Sequence, residues 1–223
     1  MEKQSSTDGA GMFYHMQQIR ELDVAALYQQ MPDEKEMGLP SHWRTYFAVN
    51  KVEDTIEKVK KAGGTAIMGP MDVFDVGRMA VFQDPQGAVF SVWEAKTHIG
   101  YRLVSEPGAL TWNELLTTDV GKATEFYKAA LGMTSEKMPV MDYTMLSAEG
   151  QQAAGIMQIR PEMGPMPPNW SVYFSVADIN KATKKVTSLG GKVISPIQDV
   201  PNMGRFAMVQ DPQGAMFGIF QGA

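Results

Sequence analysis

The chain has 223 residues, 44% hydrophobic and 20% charged, a composition suited to two globular domains of ordinary size. Its net charge of -5 argues against a nucleic-acid or anionic-membrane partner, since either would favour a basic surface. Cysteine is absent, which excludes disulfides, a thiolate nucleophile and zinc held by thiolates; no apolar run reaches the ~18 residues of a membrane span, and a cytoplasmic protein is expected.

In chain order, residues 14–16 and 24–29 match the pattern of two later strands, at 143–146 and 153–159. Residues 43–49 are aromatic and β-branched and predict a strand. Val52, Ile56 and Val59 recur at helical spacing with charges between them, so a helix is predicted over 51–62, ended by Gly63-Gly64. Strands follow at 65–68, 77–83 and 88–93. The last two are joined by Asp84-Pro85-Gln86-Gly87, whose Pro and Gly positions suit a type I turn. Residues 97–109 read as a linker. A strand is predicted at 111–117 and a helix at 120–131, with Val120, Ala123, Phe126, Tyr127 and Ala130 on one face. The proline-rich run 161–168 is a second linker. Beyond it a strand ends at Val176, a helix runs over 179–189, and two strands flank Asp211-Pro212-Gln213-Gly214.

The segment from Trp43 to Phe90 aligns without a gap on Trp170 to Phe217, with 21 of 48 positions identical. That period exceeds the ~20–50 residues of a solenoid unit, so the chain is a domain duplication. The expected domains are 1–96 and 110–223, with 97–109 between them. The second copy opens with a strand and helix (110–127) that have no counterpart in the first, and Met1 aligns near their end. The fold class expected is α+β and mostly β, with the first copy lacking its opening strand and helix. Residues 1–6 read like the loop after such a helix. The bared edge then needs cover. Two accounts stay open: a start at an internal methionine, or cover by another subunit, most simply in a two-fold homodimer.

Strand–helix–strand units with Phe126-Tyr127 on the helix, the run Leu-Leu-Thr-Thr-Asp-Val-Gly-Lys-Ala-Thr-Glu-Phe-Tyr at 115–127, and both Asp-Pro-Gln-Gly-Ala hairpins resemble the vicinal oxygen chelate superfamily of glyoxalases, bleomycin-resistance proteins and dioxygenases. Within it the chain is similar to the tandem-domain type that includes the mycobacterial 27 kDa antigen. The resemblance implies tandem βαβββ modules forming curved mixed sheets around a cavity. It also implies divalent-metal chemistry, with ligands on the first strand of each module and on the last strand of a pair. Carried over residue by residue, those positions are Trp112, Ser171 and Gly218, with Arg44 and Ser91 in the first copy. Trp has no acceptor nitrogen, Gly has no side chain, and a lone hydroxyl is a poor ligand. His15, His42 and His98 fall at none of these positions. The metal site reads as lost, and no cofactor is expected.

Strand alternation then assigns the cavity lining. Trp112, Ser171, Tyr173, Met216 and Phe220 face inward, Tyr143 and Met145 join the rim, and Glu114 is the one carboxylate. A carboxylate enclosed beside an indole is expected to titrate high and to serve as acid or base. The alternative is a Glu114 paired with Arg102 or Arg205, or turned to solvent. Arg78 and Arg205, each opening a strand after Gly, read as hairpin anchors. The function expected is metal-independent binding of a small molecule. The alternative is a lyase, isomerase or dioxygenase with an unusual site, and whether the chain is an enzyme stays open at this point.

Overall fold

In the computed structural model, residues 3–7, 13–36, 38–139 and 141–223 are described. The chain opens with β1 (Lys3–Thr7), β2 (Phe13–Ile19) and β3 (Leu22–Tyr28), then a short helix α1 (Pro32–Glu36). One complete module follows: β4 (Tyr46–Ala48), α2 (Val52–Lys61), β5 (Thr65–Val73), β6 (Gly77–Gln83) and β7 (Val89–Ala95). A second is β8 (Leu110–Thr117), α3 (Val120–Leu131), β9 (Thr134–Lys137), β10 (Thr144–Ala148) and β11 (Gln151–Gln158). The last is β12 (Asn169–Ser175), α4 (Ile179–Ser188), β13 (Lys192–Val193), β14 (Gln198–Val200), β15 (Gly204–Gln210) and β16 (Met216–Gly222). Strands 3–7, 134–137, 192–193 and 198–200 were not legible beforehand: they are short and mostly polar, and only the pairing of a neighbour makes them strands. Residues 3–6 therefore lie in β1 and not in a loop; Met1 and Glu2 fall outside the described residues.

The three complete modules share one rule. The opening strand pairs parallel with the last, as in β4 with β7, β8 with β11 and β12 with β16, and the middle strands add on antiparallel. The sheet β1-β2-β3 follows the same order without an opening strand. No helix among the described residues is long and apolar enough to cross a membrane.

The chain forms two compact units, and each draws a module from each copy. The division into 1–96 and 110–223 follows the covalent repeat; the compact units follow packing and interleave it. One unit holds residues 44–99 and 112–171. Its core is the apolar side of two sheets packed on α2 and α3: Phe47, Val52, Val59, Phe82, Phe90 and Val92 from one module, Leu115, Phe126, Tyr127, Leu146 and Ile156 from the other, with Trp170. The N-cap of α3 is Asp119, whose side chain accepts from the Lys122 N–H. At the tight turn, Asp84 Oδ1 accepts the backbone N–H groups of Gln86 and Ala88, which is why Asp opens this hairpin. Its Oδ2 accepts the Tyr127 hydroxyl at 3.1 Å, and that hydroxyl accepts from Trp170 Nε1 at 2.8 Å.

The other unit holds residues 1–43, 100–111 and 172–223. Ile179, Ala207, Val209 and Ile219 form its smaller core under α4, with Val186 and Phe217 packed against it. The connector joins this unit through the Arg102 N–H on the Asp23 carbonyl and the Gly108 N–H on the Ser175 carbonyl. Both arginine anchors tie a hairpin strand to a neighbour: Arg78 to Glu53 and Asp72, Arg205 to Gln221.

Candidate functional site

Strand register builds the site. Glu114 on β8 stands beside Gly155 on β11, Gly155 beside Met145 on β10, and Met145 beside Glu136 on β9. These four share one face of the sheet, because side chains alternate along a strand. The neighbours Leu115, Leu146, Ala154 and Ile156 point the other way, into the helix-side core.

On the face away from the helices, three side chains meet. The Trp112 indole N–H donates to the Tyr143 hydroxyl at 2.7 Å. That hydroxyl in turn hydrogen-bonds Glu114. Glu114 is only 8% exposed. A Cβ built on Gly155 would collide with the Tyr143 hydroxyl and ring, so glycine is what lets the phenol lie flat across β11 to reach the carboxylate. Burial, reinforced by the Glu114 charge, holds the Tyr143 phenol well above its ordinary value. It stays protonated through the neutral range and serves as a donor. The arrangement is a directed relay, indole to phenol to carboxylate. It makes Glu114 a fixed acceptor at the edge of an aromatic surface, and Met145 (7% exposed) supplies apolar floor beside it.

The remaining sequence-derived site residues lie elsewhere. Ser171 donates to Asn169 Oδ1 at 3.1 Å. In the other unit, Tyr173 lies over Gly218, where a Cβ would strike its ring, and packs edge-on to Phe206. Phe220 stands beside Phe206 across the hairpin, and Met216 is exposed. A surface depression of about 560 Å³ is lined by Val120, Thr124, Ser135, Lys137, Asp142 and Gln158, on the helix side of the sheet; it touches none of the relay residues. Gly155 was missed from sequence. Its signal was weak: a glycine inside an apolar strand marks close approach of another group.

The profile of the Glyoxalase/Bleomycin resistance protein/Dioxygenase superfamily matches residues 1–92 and 107–219. The chain belongs to that superfamily. It is similar to CFP32 of Mycobacterium tuberculosis (strain CDC 1551 / Oshkosh), a glyoxylase by name: 39% identical over 218 residues, 96% of this chain and 82% of CFP32. It is also similar to DauV of Streptomyces sp. (strain C5), an anthracycline biosynthesis protein by name: 37% identical over 192 residues, 85% of this chain and 69% of DauV. Among solved structures, the 2,3-dioxygenase LapB from Pseudomonas sp. KL28 matches with a TM-score of 0.65 at 13% identity, over 99% of this chain and 84% of LapB. The Mn(II)-bound glyoxalase from Novosphingobium aromaticivorans matches with a TM-score of 0.64 at 13% identity, over 98% and 73%. These two share the fold.

The superfamily's metal does not fit the donor set present. Trp112 carries no lone pair in the ring plane and commits its N–H to Tyr143. Gly218 offers nothing, and the Tyr173 ring fills the space where a ligand would start. Ser171 adds one hydroxyl. His42 bonds the Pro40 carbonyl and His98 packs on Trp93. Among the described residues, no three His, Asp or Glu side chains converge to hold an ion.

Proposed function

We propose that this chain is a metal-independent small-molecule-binding protein of the superfamily, and that its ligand is an aromatic compound presenting a hydrogen-bond donor to Glu114. One observation carries the reading: the position expected for a metal ligand holds Trp112, whose N–H is spent on orienting Tyr143 toward Glu114. The relay thus substitutes an organic acceptor for a cation. Flat aromatic walls with one fixed polar group are what a small-ligand site needs. Two Streptomyces relatives are named for anthracycline biosynthesis, which agrees with a planar aromatic ligand. The superfamily alternative, a lyase, isomerase or dioxygenase, finds its support in the same buried carboxylate, which is placed to move a proton.

The test is a thermal-shift screen of planar phenols and quinones on the wild type and on Glu114→Gln. A true ligand raises Tm by mass action, and the substitution removes that shift while lowering the unliganded Tm by only about 2–4 °C, the equivalent of about 1 kcal/mol. Near-stoichiometric iron, manganese, nickel or zinc in the purified protein, needed for the stabilisation, would overturn the metal-independent reading. A cytoplasmic location belongs to the same proposal and agrees with a cysteine-free chain. Pairing of two copies in a homodimer is one account of the open edge in the first repeat.

A further inference from the structure

The two repeats place a tyrosine at the same point of an opening strand, Tyr46 on β4 and Tyr173 on β12, but the residue beside it on the closing strand differs: Ser91 on β7, Gly218 on β16. Tyr173 settles onto Gly218, where an added Cβ would come within 2.0 Å of its ring, and it is 7% exposed. Tyr143 settles onto Gly155 in the same manner. Tyr46 has no glycine to settle on. It lies across β7, with its hydroxyl 4.0 Å from Met79 Sδ on β6, and is 39% exposed. The Ser91 side chain occupies the space a flat ring would need, so the Tyr46 ring rides higher on the sheet. Ser91 is itself fully buried and its hydroxyl has no hydrogen-bond partner among the described residues, so its part here is that of a spacer.

Tyr46 belongs to the same compact unit as the relay. Thr45 beside β4 donates its hydroxyl to Asn113 Oδ1 on β8 at 3.3 Å, so the two opening strands lie side by side. Phe47, Phe90, Val92 and Leu115 point into the helix-side core, and by alternation Tyr46, Ser91 and Glu114 point to the other face. Across that face the strands run β11, β8, β4, β7, β6. Glu114 stands on β8, and the raised Tyr46 ring stands over β7. Two strand steps separate the carboxylate from the ring, roughly 10 Å at ~4.8 Å per step.

We propose that Tyr46 is the stacking platform for the ligand anchored at Glu114, and that this ligand is a linearly fused aromatic system of about three rings with a hydroxyl at one end. The inference rests on the binding at Glu114 proposed above and adds to it the ligand's length and its second point of contact. A single phenol bonded to Glu114 ends over β8 or β4, short of the Tyr46 ring. A three-ring system lying on this face crosses β4 and sets its far ring on Tyr46. Aromatic pairs favour an offset stack, and a ring lifted by Ser91 presents its face for one. The first repeat thus contributes a platform and the second an anchor to one site.

The test measures dissociation constants by equilibrium dialysis for 4-hydroxyacetophenone, 2-naphthol and 2-hydroxyanthraquinone, which carry one, two and three rings. The full chain is compared with Tyr46→Ala, Tyr46→Phe, Ser91→Gly and Glu114→Gln. Wild-type affinity should rise with ring count, by about tenfold from the one-ring to the three-ring probe. Tyr46→Ala, at an exposed position, should weaken 2-hydroxyanthraquinone about fivefold, within the worth of one stacked pair, and leave 4-hydroxyacetophenone within about twofold, which also shows that the variant is folded. Tyr46→Phe keeps the ring and should bind as the wild type does. Ser91→Gly lets the ring drop onto β7 and should weaken the three-ring probe about threefold. Glu114→Gln should weaken all three probes alike. Unchanged 2-hydroxyanthraquinone affinity in Tyr46→Ala, with Glu114→Gln still weakening it, overturns the platform and spares the anchor. Weakening in Tyr46→Ala with none in Glu114→Gln overturns the anchor, and the span with it. Equal weakening of one-ring and three-ring probes by Tyr46→Ala overturns the span, and absence of binding by every probe overturns platform and anchor together.

Discussion

Replacing Tyr143 by phenylalanine tests the relay most directly. The ring and its packing over Gly155 remain; only the hydroxyl goes. Two hydrogen bonds are lost, the 2.7 Å bond from Trp112 Nε1 and the bond to the buried Glu114. A hydrogen bond to a charged group contributes about 1.5–3 kcal/mol and a neutral one about 1 kcal/mol. Because Trp112 is only half-buried, water recovers part of its loss. The expected cost is therefore about 2–3 kcal/mol. Urea unfolding should show it as a lower midpoint at unchanged slope, by roughly 0.7–3 M for a slope within the ~1–3 kcal/mol/M of small domains. Glu114→Gln keeps an acceptor oxygen and should cost less, and the double variant should cost less than the sum, with a coupling of about 1 kcal/mol. A Tyr143→Phe variant within about 0.5 kcal/mol of wild type, or strict additivity with Glu114→Gln, would refute the idea that the phenol bridges indole and carboxylate.

Gly155→Ala should destabilise by about 1–3 kcal/mol, since its Cβ displaces the Tyr143 ring, and should also abolish any ligand response that Glu114→Gln abolishes; an unchanged thermal midpoint would count against the placement of that ring. Tyr127→Phe strands the Trp170 N–H and removes a donor from Asp84 inside the core, so a loss of about 3 kcal/mol is expected in calorimetry or urea unfolding. At high pH, burial holds Tyr127 and Tyr143 above the ordinary tyrosine value of 10.0, so below that value both states are protonated and nothing changes, while above it the unfolded chain ionises first and stability falls. Urea unfolding between pH 9 and 11.5 should show a decline shallower in either Phe variant by roughly 1 kcal/mol per pH unit; parallel curves would contradict the raised values. Dialysis against a chelator should leave Tm unchanged, and a drop restored by one metal would reverse the reading of the donor set.

What the sequence determined by itself is local or repeated. Helical spacing at Val52, Ile56 and Val59 and the Asp84 and Asp211 turns each depend on residues a few positions apart, so the chain displays them directly. The module order was legible for a second reason: the duplication states it twice. Register across strands was not legible, and the site lives there. Trp112 and Tyr143 are 31 positions apart, and nothing in their neighbourhoods announces that one phenol accepts from the indole and donates to Glu114. Gly155 gains its meaning only when β11 lies between β8 and β10. The interleaved units were likewise decided by packing. The sequence orders the modules along the chain, but burial of α2 against α3 joins a module from one copy to a module from the other, because an apolar helix face is satisfied by whichever complementary face the fold brings to it.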